Sequence, residues 1–319
     1  MTALTYSVRN MEMLEIVADM NVHLNAIKVN RVESVETDFS NYNYVSLMPN
    51  PPYQSPESSL SSLNVKASCA EALAQITPED APWVTKPDKD GQNCIHCAVD
   101  SVSAKPDNVI IADIEKLIAA GANVTAINNN GETALHIAIK RSRVKVARYL
   151  LNKIDVNAAD KDGYTALYLA VSMKLDVLID DILAMENVDV NAMNKSNITA
   201  LIKCAKEGDS MVPIVEKLVA YPGVDVNIVG EDGETALHVA ASTNSVRIME
   251  LLVKNHADAA ALDVDLNTPL YLAVHQNHVE AVKFLLDHMP LSAIEIPNYE
   301  LYTPLEWAEW PWQNNDVRE

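Results

Sequence analysis

Cys94, His96 and Cys97 stand within four positions of GQNCIHCAVD, and a thiol pair at that spacing binds zinc or forms a redox couple. A structural zinc needs four ligands, commonly two such pairs, and the remaining cysteines, Cys69 and Cys204, are isolated. DVDLN at 263–267 begins like a calcium loop. It then places Thr268 and Val274 where that loop needs a Gly and a bidentate Glu. His275 and His278 could face a metal across one helical turn. No Gly-rich phosphate loop, serine elbow, catalytic acid pair or His-Glu zincin motif occurs. The sequence therefore predicts a non-enzymatic chain with no catalytic residue, metal or cofactor.

The elements that would position Cys94 and Cys97 give these residues a different meaning. GETALHIAIK at Gly131 and GETALHVAAS at Gly233 follow the same order as the cysteine segment: Gly, two residues, a small residue, an aliphatic, His, one residue, Ala. The same step recurs as GYTALYLA at Gly163, NITALIKCA at Asn197, NTPLYLA at Asn267 and YTPLEWA at Tyr302. Its anchor is Asn93, then Thr133, Thr165, Thr199, Thr235, Thr268 and Thr303, at intervals of 40, 32, 34, 36, 33 and 35 residues. A second signal trails each anchor, as in IDVNAAD, VDVNAMN and VDVNIVG. Apolar residues at helical spacing lie between, as in VKVARYLL and VEAVKFLL. Asp-x-x-Gly turns supply a Gly able to take positive φ, and the following Thr is placed to cap a helix.

These residues resemble ankyrin repeats, whose period is about 33 and whose signature is Thr-Pro-Leu-His-x-Ala. The resemblance covers 88–319. It implies an all-α ankyrin-repeat solenoid of helix-turn-helix units joined by β-hairpin turns, with six full repeats and a truncated seventh. It gives His96, His136 and His238 the task of tying one turn to the next. It makes Cys94 and Cys97 small-residue choices at a helix start, and Asn277-His278 the start of a second helix. The first repeat carries about seven extra residues around 101–108. Asn197 replaces the turn Gly of the fourth, and KEGDSMVP (206–213) breaks that repeat's helix–helix turn. Trp307, Trp310 and Trp312 fall where a cap must cover the last apolar face.

Composition bounds the partners. The 319 residues carry 24 Lys and Arg against 44 Asp and Glu, a net charge of -20 with a pI near 4.7. Such a field repels phosphate backbones and anionic lipid and favours basic protein partners, so neither direct nucleic-acid nor membrane binding is expected. No apolar run in the first thirty residues suits a signal peptide, and no window approaches a membrane span. Four irregularly spaced cysteines do not form a disulfide framework. The expectation is a reduced, cytoplasmic and also nuclear protein, monomeric on its own.

Upstream of the repeats, Met13, Ile16, Val17, Met20, Leu24 and Ile27 form one stripe of an amphipathic helix within 1–30. Residues 31–66 are rich in Asn, Ser, Tyr, Pro and Glu and read as disordered, with Ser55, Ser58, Ser59, Ser61 and Ser62 as candidate phosphorylation sites. Residues 67–87 read as an N-terminal cap.

Charge is uneven. Between 130 and 161, seven Lys and Arg face three acids, whereas from 226 onward four bases face fifteen acids. Repeat number, enlarged first repeat, acidic downstream section and Ser-rich head resemble the inhibitor-of-κB family. The resemblance implies binding to a Rel/NF-κB-type dimer through its basic nuclear-localisation segment and control of its DNA binding and nuclear entry. The Asp-Ser-Gly-x-x-Ser degradation signal of the family's inhibitory members is missing. Repeat register nominates Asn129, Asn130, Lys140, Arg141, Lys161, Met173, Lys195, Glu231, Asp232, Asp263, Asp265, His275, Tyr299 and Glu300 as partner contacts. Asn157, Asn191 and Asn227 match the Asp-Val-Asn turns that ankyrin-modifying asparagine hydroxylases accept. A general ankyrin adaptor or scaffold, such as a substrate receptor for an unrelated basic partner, is the alternative.

Overall fold

The computed structural model describes residues 84–101 and 105–309. The upstream amphipathic stretch, the serine-rich segment with Ser55 to Ser62, most of the expected cap, and Trp310 and Trp312 lie outside the described residues.

Each repeat opens where an anchor side chain satisfies the first free N–H groups of a helix. Asn93, Thr133, Thr165, Thr199, Thr235 and Thr268 are the N-caps of α1 (Cys94–Val99), α3 (Ala134–Lys140), α5 (Ala166–Ser172), α7 (Ala200–Glu207), α9 (Ala236–Ser242) and α11 (Pro269–His275). Thr303 does the same for α14 (Pro304–Glu309), its Oγ1 accepting the Glu306 N–H at 3.1 Å. All seven anchors read from the sequence thus begin helices.

A second helix returns behind each inner one. These are α2 (Asp107–Ala119), α4 (Val144–Leu151), α6 (Asp176–Leu183), α8 (Val212–Val219), α10 (Val246–Lys254) and α12 (Val279–His288). Inner helices pack on inner helices and outer on outer, so the core runs unbroken along the row. One small residue recurs five positions after the anchor of each repeat, Ala98, Ala138, Ala170, Ala240 and Ala273. In the fourth repeat Cys204 takes that place, and all of these are buried.

Two features depart from the regular unit where the sequence signals it. A 3₁₀ turn, Asp209–Met211, enters the fourth repeat ahead of α8 and buries Met211. Asn197 takes the turn Gly's place at φ 52°, in the left-handed region that Asn tolerates better than most residues. The short α13 (Leu291–Ile294), between the sixth repeat and α14, carries no periodic signal of its own.

The hairpins project from the stack and are built on one polar residue each. Asp88, Asn128, Asp160, Asn194 and Asp263 each accept two backbone N–H groups of their own tip through Oδ1, and Asn298 accepts one. The fifth hairpin has Gly230 there and lacks the brace. Successive tips are also tied together. The N–H groups of Asn129, Lys161 and Lys195 donate to Asp90, Asn130 and Asp162 carbonyls at 2.8–2.9 Å; Val264 and Tyr299 donate to Asp232 and Asp265 at 3.0 and 2.7 Å. Among the described residues no such bond joins the fourth tip to the fifth. Each tip turns through a residue of positive φ, Gly at 91, 131, 163 and 233. In the last two hairpins that residue is Leu266 (φ 61°) and Leu301 (φ 67°), a conformation that costs a branched side chain about 1–2 kcal/mol.

Candidate functional site

In a row of packed helix pairs, the surface open to a partner is what the tips and inner helices expose. The cysteine segment is part of the core. Cys94 and Cys97 are buried at the start of α1, with the Cys94 Sγ 3.3 Å from the Val84 carbonyl oxygen. Burial pushes the Cys204 thiol up to about 12, which keeps it protonated and unreactive.

The three motif histidines perform the expected bridging. Nε2 of His96, His136 and His238 lies 3.1, 2.9 and 3.1 Å from the carbonyl oxygens of Glu132, Tyr164 and Asn267 in the next repeat. Each Nδ1 accepts the N–H of its own repeat's cap residue at 3.2 Å. In His136 and His238, where a Thr hydroxyl also lies within 2.9 Å of Nδ1, that pattern fits the neutral tautomer with the proton on Nε2; Nδ1 of His96 lies 2.7 Å from the Asn93 amide oxygen, an acceptor. Burial holds all three below the usual imidazole range, outweighing the neighbouring carboxylates. His278 is also structural: it is the N-cap of α12, and its Nε2 reaches the Ser242 carbonyl at 3.0 Å.

A parallel ladder of asparagines ties the repeats on another edge. Asn157, Asn191 and Asn227 donate Nδ2 to the carbonyls of Asn187, Gly223 and His256 at 2.6, 2.9 and 3.1 Å. They accept the N–H groups of Asp189, Asp225 and Asp258 through Oδ1. Both ends of each amide are thereby engaged across a repeat boundary.

Of the expected contact residues, Asn129, Asn130, Lys161, Lys195, Glu231, Asp232, Asp265, Tyr299 and Glu300 are exposed at hairpin tips. Lys140, Arg141, Met173 and His275 are exposed at the ends of inner helices. Asp263 is not part of this surface. It is buried as the brace of the sixth hairpin, and its Oδ2 also accepts from Asn267 Nδ2 at 2.9 Å. Repeat register alone could not separate a tip residue from the residue that folds the tip.

The upstream cations are partly committed inside the chain. Lys140 pairs with Glu132 at 2.8 Å and Asp160 at 3.2 Å; these contacts outweigh burial and raise its pKa. Arg141 pairs with Asp100 at 2.6 Å. Lys161 and Lys195 join no ion pair among the described residues, nor do Glu231, Asp232, Asp265 and Glu300. The downstream tips therefore keep an uncompensated negative field. Glu234 registers it: burial first, then Asp232 and Asp263, raises its carboxyl above the ordinary range.

The sequence reading missed a row of exposed apolar side chains along the hairpins, namely Ile127, Met193, Val229 and Leu262. It also missed Val264, Leu266 and Leu301 at the tips. The signal lay in the tip triplets. KDG, NNG, KDG, KSN and EDG give way to VDL and YEL in the last two hairpins.

Paired helices stacked through capped hairpins define a class, the repeat solenoid that presents a surface to other proteins. Models of ankyrin repeats match residues 104–194, 176–263 and 244–286, over half of the chain. The chain belongs to the ankyrin-repeat family. It is 34% identical over 164 residues to neurogenic locus notch homolog protein 1 of Homo sapiens, covering 51% of this chain and 6% of that protein. To glp-1 of Caenorhabditis elegans it is 27% identical over 258 residues, covering 73% of this chain and 20% of that protein. The chain thus spans a fifth or less of these relatives. Among solved structures, the ankyrin repeat domain of Bcl-3, described as a unique member of the IκB protein family, matches with a TM-score of 0.54. The match is 23% identical and covers 71% of this chain and 93% of that one. At that identity it shows the fold. No described helix is long and apolar enough to cross a membrane.

Proposed function

We propose that this stack is an IκB-like regulator, which binds a Rel/NF-κB-type dimer and modulates its DNA binding and nuclear entry from the cytoplasm and the nucleus. The carrying observation is the set of exposed carboxylates on successive tips, Glu231, Asp232, Asp265 and Glu300, which join no ion pair among the described residues, downstream of the exposed ammonium groups of Lys161 and Lys195. An extended partner with a basic segment fits that order of charges, and complementarity of this kind sets encounter rate and orientation. The fold shared with the Bcl-3 domain supports the reading without carrying it. A general ankyrin adaptor for an unrelated basic partner is the second reading, favoured by the similarity to Notch-type proteins.

The test titrates the full chain into a Rel-homology dimer that keeps its basic tail, with and without DNA. Submicromolar binding that displaces DNA supports an inhibitor. Binding that leaves DNA in place supports a co-regulator within the same proposal. No binding refutes it and leaves the adaptor.

A further inference from the structure

Four exposed apolar side chains sit on two neighbouring tips in the same arrangement. Val264, Asp265 and Leu266 form one tip; Tyr299, Glu300 and Leu301 form the next. The bond from the Tyr299 N–H to the Asp265 carbonyl at 2.7 Å holds the two tips side by side. Exposure rises from 38% at Leu266 and 50% at Val264 to 62% at Tyr299 and 78% at Leu301. Chance exposure of single apolar residues needs no explanation, but a repeated apolar–acid–apolar pattern on adjacent rungs does.

The backbone makes the pattern harder to dismiss. Leu266 and Leu301 occupy the left-handed position that Gly fills at 91, 131, 163 and 233 and Asn at 197. Five hairpins of this chain thus use a residue that suits the turn, and two use a strained one. Neither leucine recovers its strain by burial in its own fold, since both are exposed.

We propose that these tips form a docking ledge for a protein segment in which apolar residues alternate with Lys or Arg. The apolar residues would lie against Leu266, Leu301, Val264 and Tyr299, while the cations would meet Asp265 and Glu300. Charge complementarity selects this occupant. Both carboxylates flank the leucines and join no ion pair among the described residues, so an acidic or neutral apolar segment leaves them unmatched. The ledge goes beyond the Rel-type reading, because its chemistry defines the segment whichever protein carries it.

The test uses two synthetic peptides of equal length and charge, one alternating Lys with Leu and one alternating Lys with Ser. Each is titrated with the full chain by fluorescence anisotropy at near-physiological salt. The ledge predicts that the Lys-Leu peptide binds at least about tenfold tighter than the Lys-Ser peptide. It also predicts that Leu266→Gly/Leu301→Gly removes that advantage while the melting temperature holds or rises, because the turn strain is relieved. Leu301→Asn, which suits the same φ, weakens binding in the same direction. Equal binding of the two peptides overturns the proposal, as does unchanged binding by the double variant. So does sedimentation showing a dimer of the full chain that the double variant dissolves, since the ledge would then be occupied by a second copy. The Rel-type reading is distinguished by its own titration. Lys-Leu binding without Rel binding rejects that reading alone, and Rel binding together with equal binding of the two peptides rejects the ledge alone.

Discussion

Acidification should loosen this stack through three side chains, His96, His136 and His238. Each is buried, accepts an N–H at Nδ1 and is held below the usual imidazole range. The native state therefore binds fewer protons than the unfolded chain, whose histidines titrate near about 6.5. Stability from these groups is complete above that value and is lost as pH falls below it. Unfolded histidines go from about half to about nine-tenths protonated between pH 6.5 and 5.5, so each withdraws at most about 1 kcal/mol over that unit and three at most about 3 kcal/mol. His238→Tyr removes one titration while using the residue found at the matching positions, Tyr168 and Tyr271. Urea unfolding of the parent and variant, followed by circular dichroism at pH 7.5, 6.5 and 5.5, should show the variant losing about a third less stability. Glu234, with its raised pKa, opposes the trend equally in both chains. Equal losses in the two proteins would refute the reasoning.

Leu237→Ala, in the middle of the stack and 1% exposed, should cost about 2–5 kcal/mol and lower the urea midpoint. Gly163→Ala places a Cβ at φ 81° only 2.8 Å from the Asn194 Cα. Gly121→Ala at φ 94° meets nothing within 4 Å, so thermal melting should fall further for the first than for the second. Asn191→Ala strips two bonds across a repeat boundary, to Gly223 and Asp225, and should lower stability by about 1–3 kcal/mol in the same melts.

The fold was legible because its rules are local and repeated. A Thr before an Ala-Leu or Pro-Leu step, or Asn93 before Cys94-Ile95, caps a helix, so the register from Asn93 to Thr303 followed from spacing. Asn197 was readable as a turn residue because positive φ leaves few choices. The surface was less legible, since exposure depends on small rotations that spacing does not report. Asp263 and Asp265 are two positions apart, yet one folds the tip and the other faces solvent. Lys140 and Arg141 looked like open cations until Glu132, Asp160 and Asp100 arrived from sequence-distant and adjacent turns alike. Leu266 and Leu301 were hidden for another reason: apolar residues invite the assumption of a core, and only the backbone angle shows them standing on a turn.

The absent brace at Gly230, together with the missing bond between the fourth and fifth tips, has a mechanical meaning. A row of plates bends least where neighbouring edges are fastened and most where they are not. Here fastened edges join the first four plates, and others join the last three. Among the tips the loosest edge therefore falls at one joint, held elsewhere by Asn191 at its far edge and by the Thr243 hydroxyl, which donates to the Ala205 carbonyl at 3.2 Å. Lys161 and Lys195 lie on one side of that joint and Asp232, Asp265 and Glu300 on the other. A partner long enough to touch both sets the angle between two stiff blocks, and shape becomes part of what is recognised.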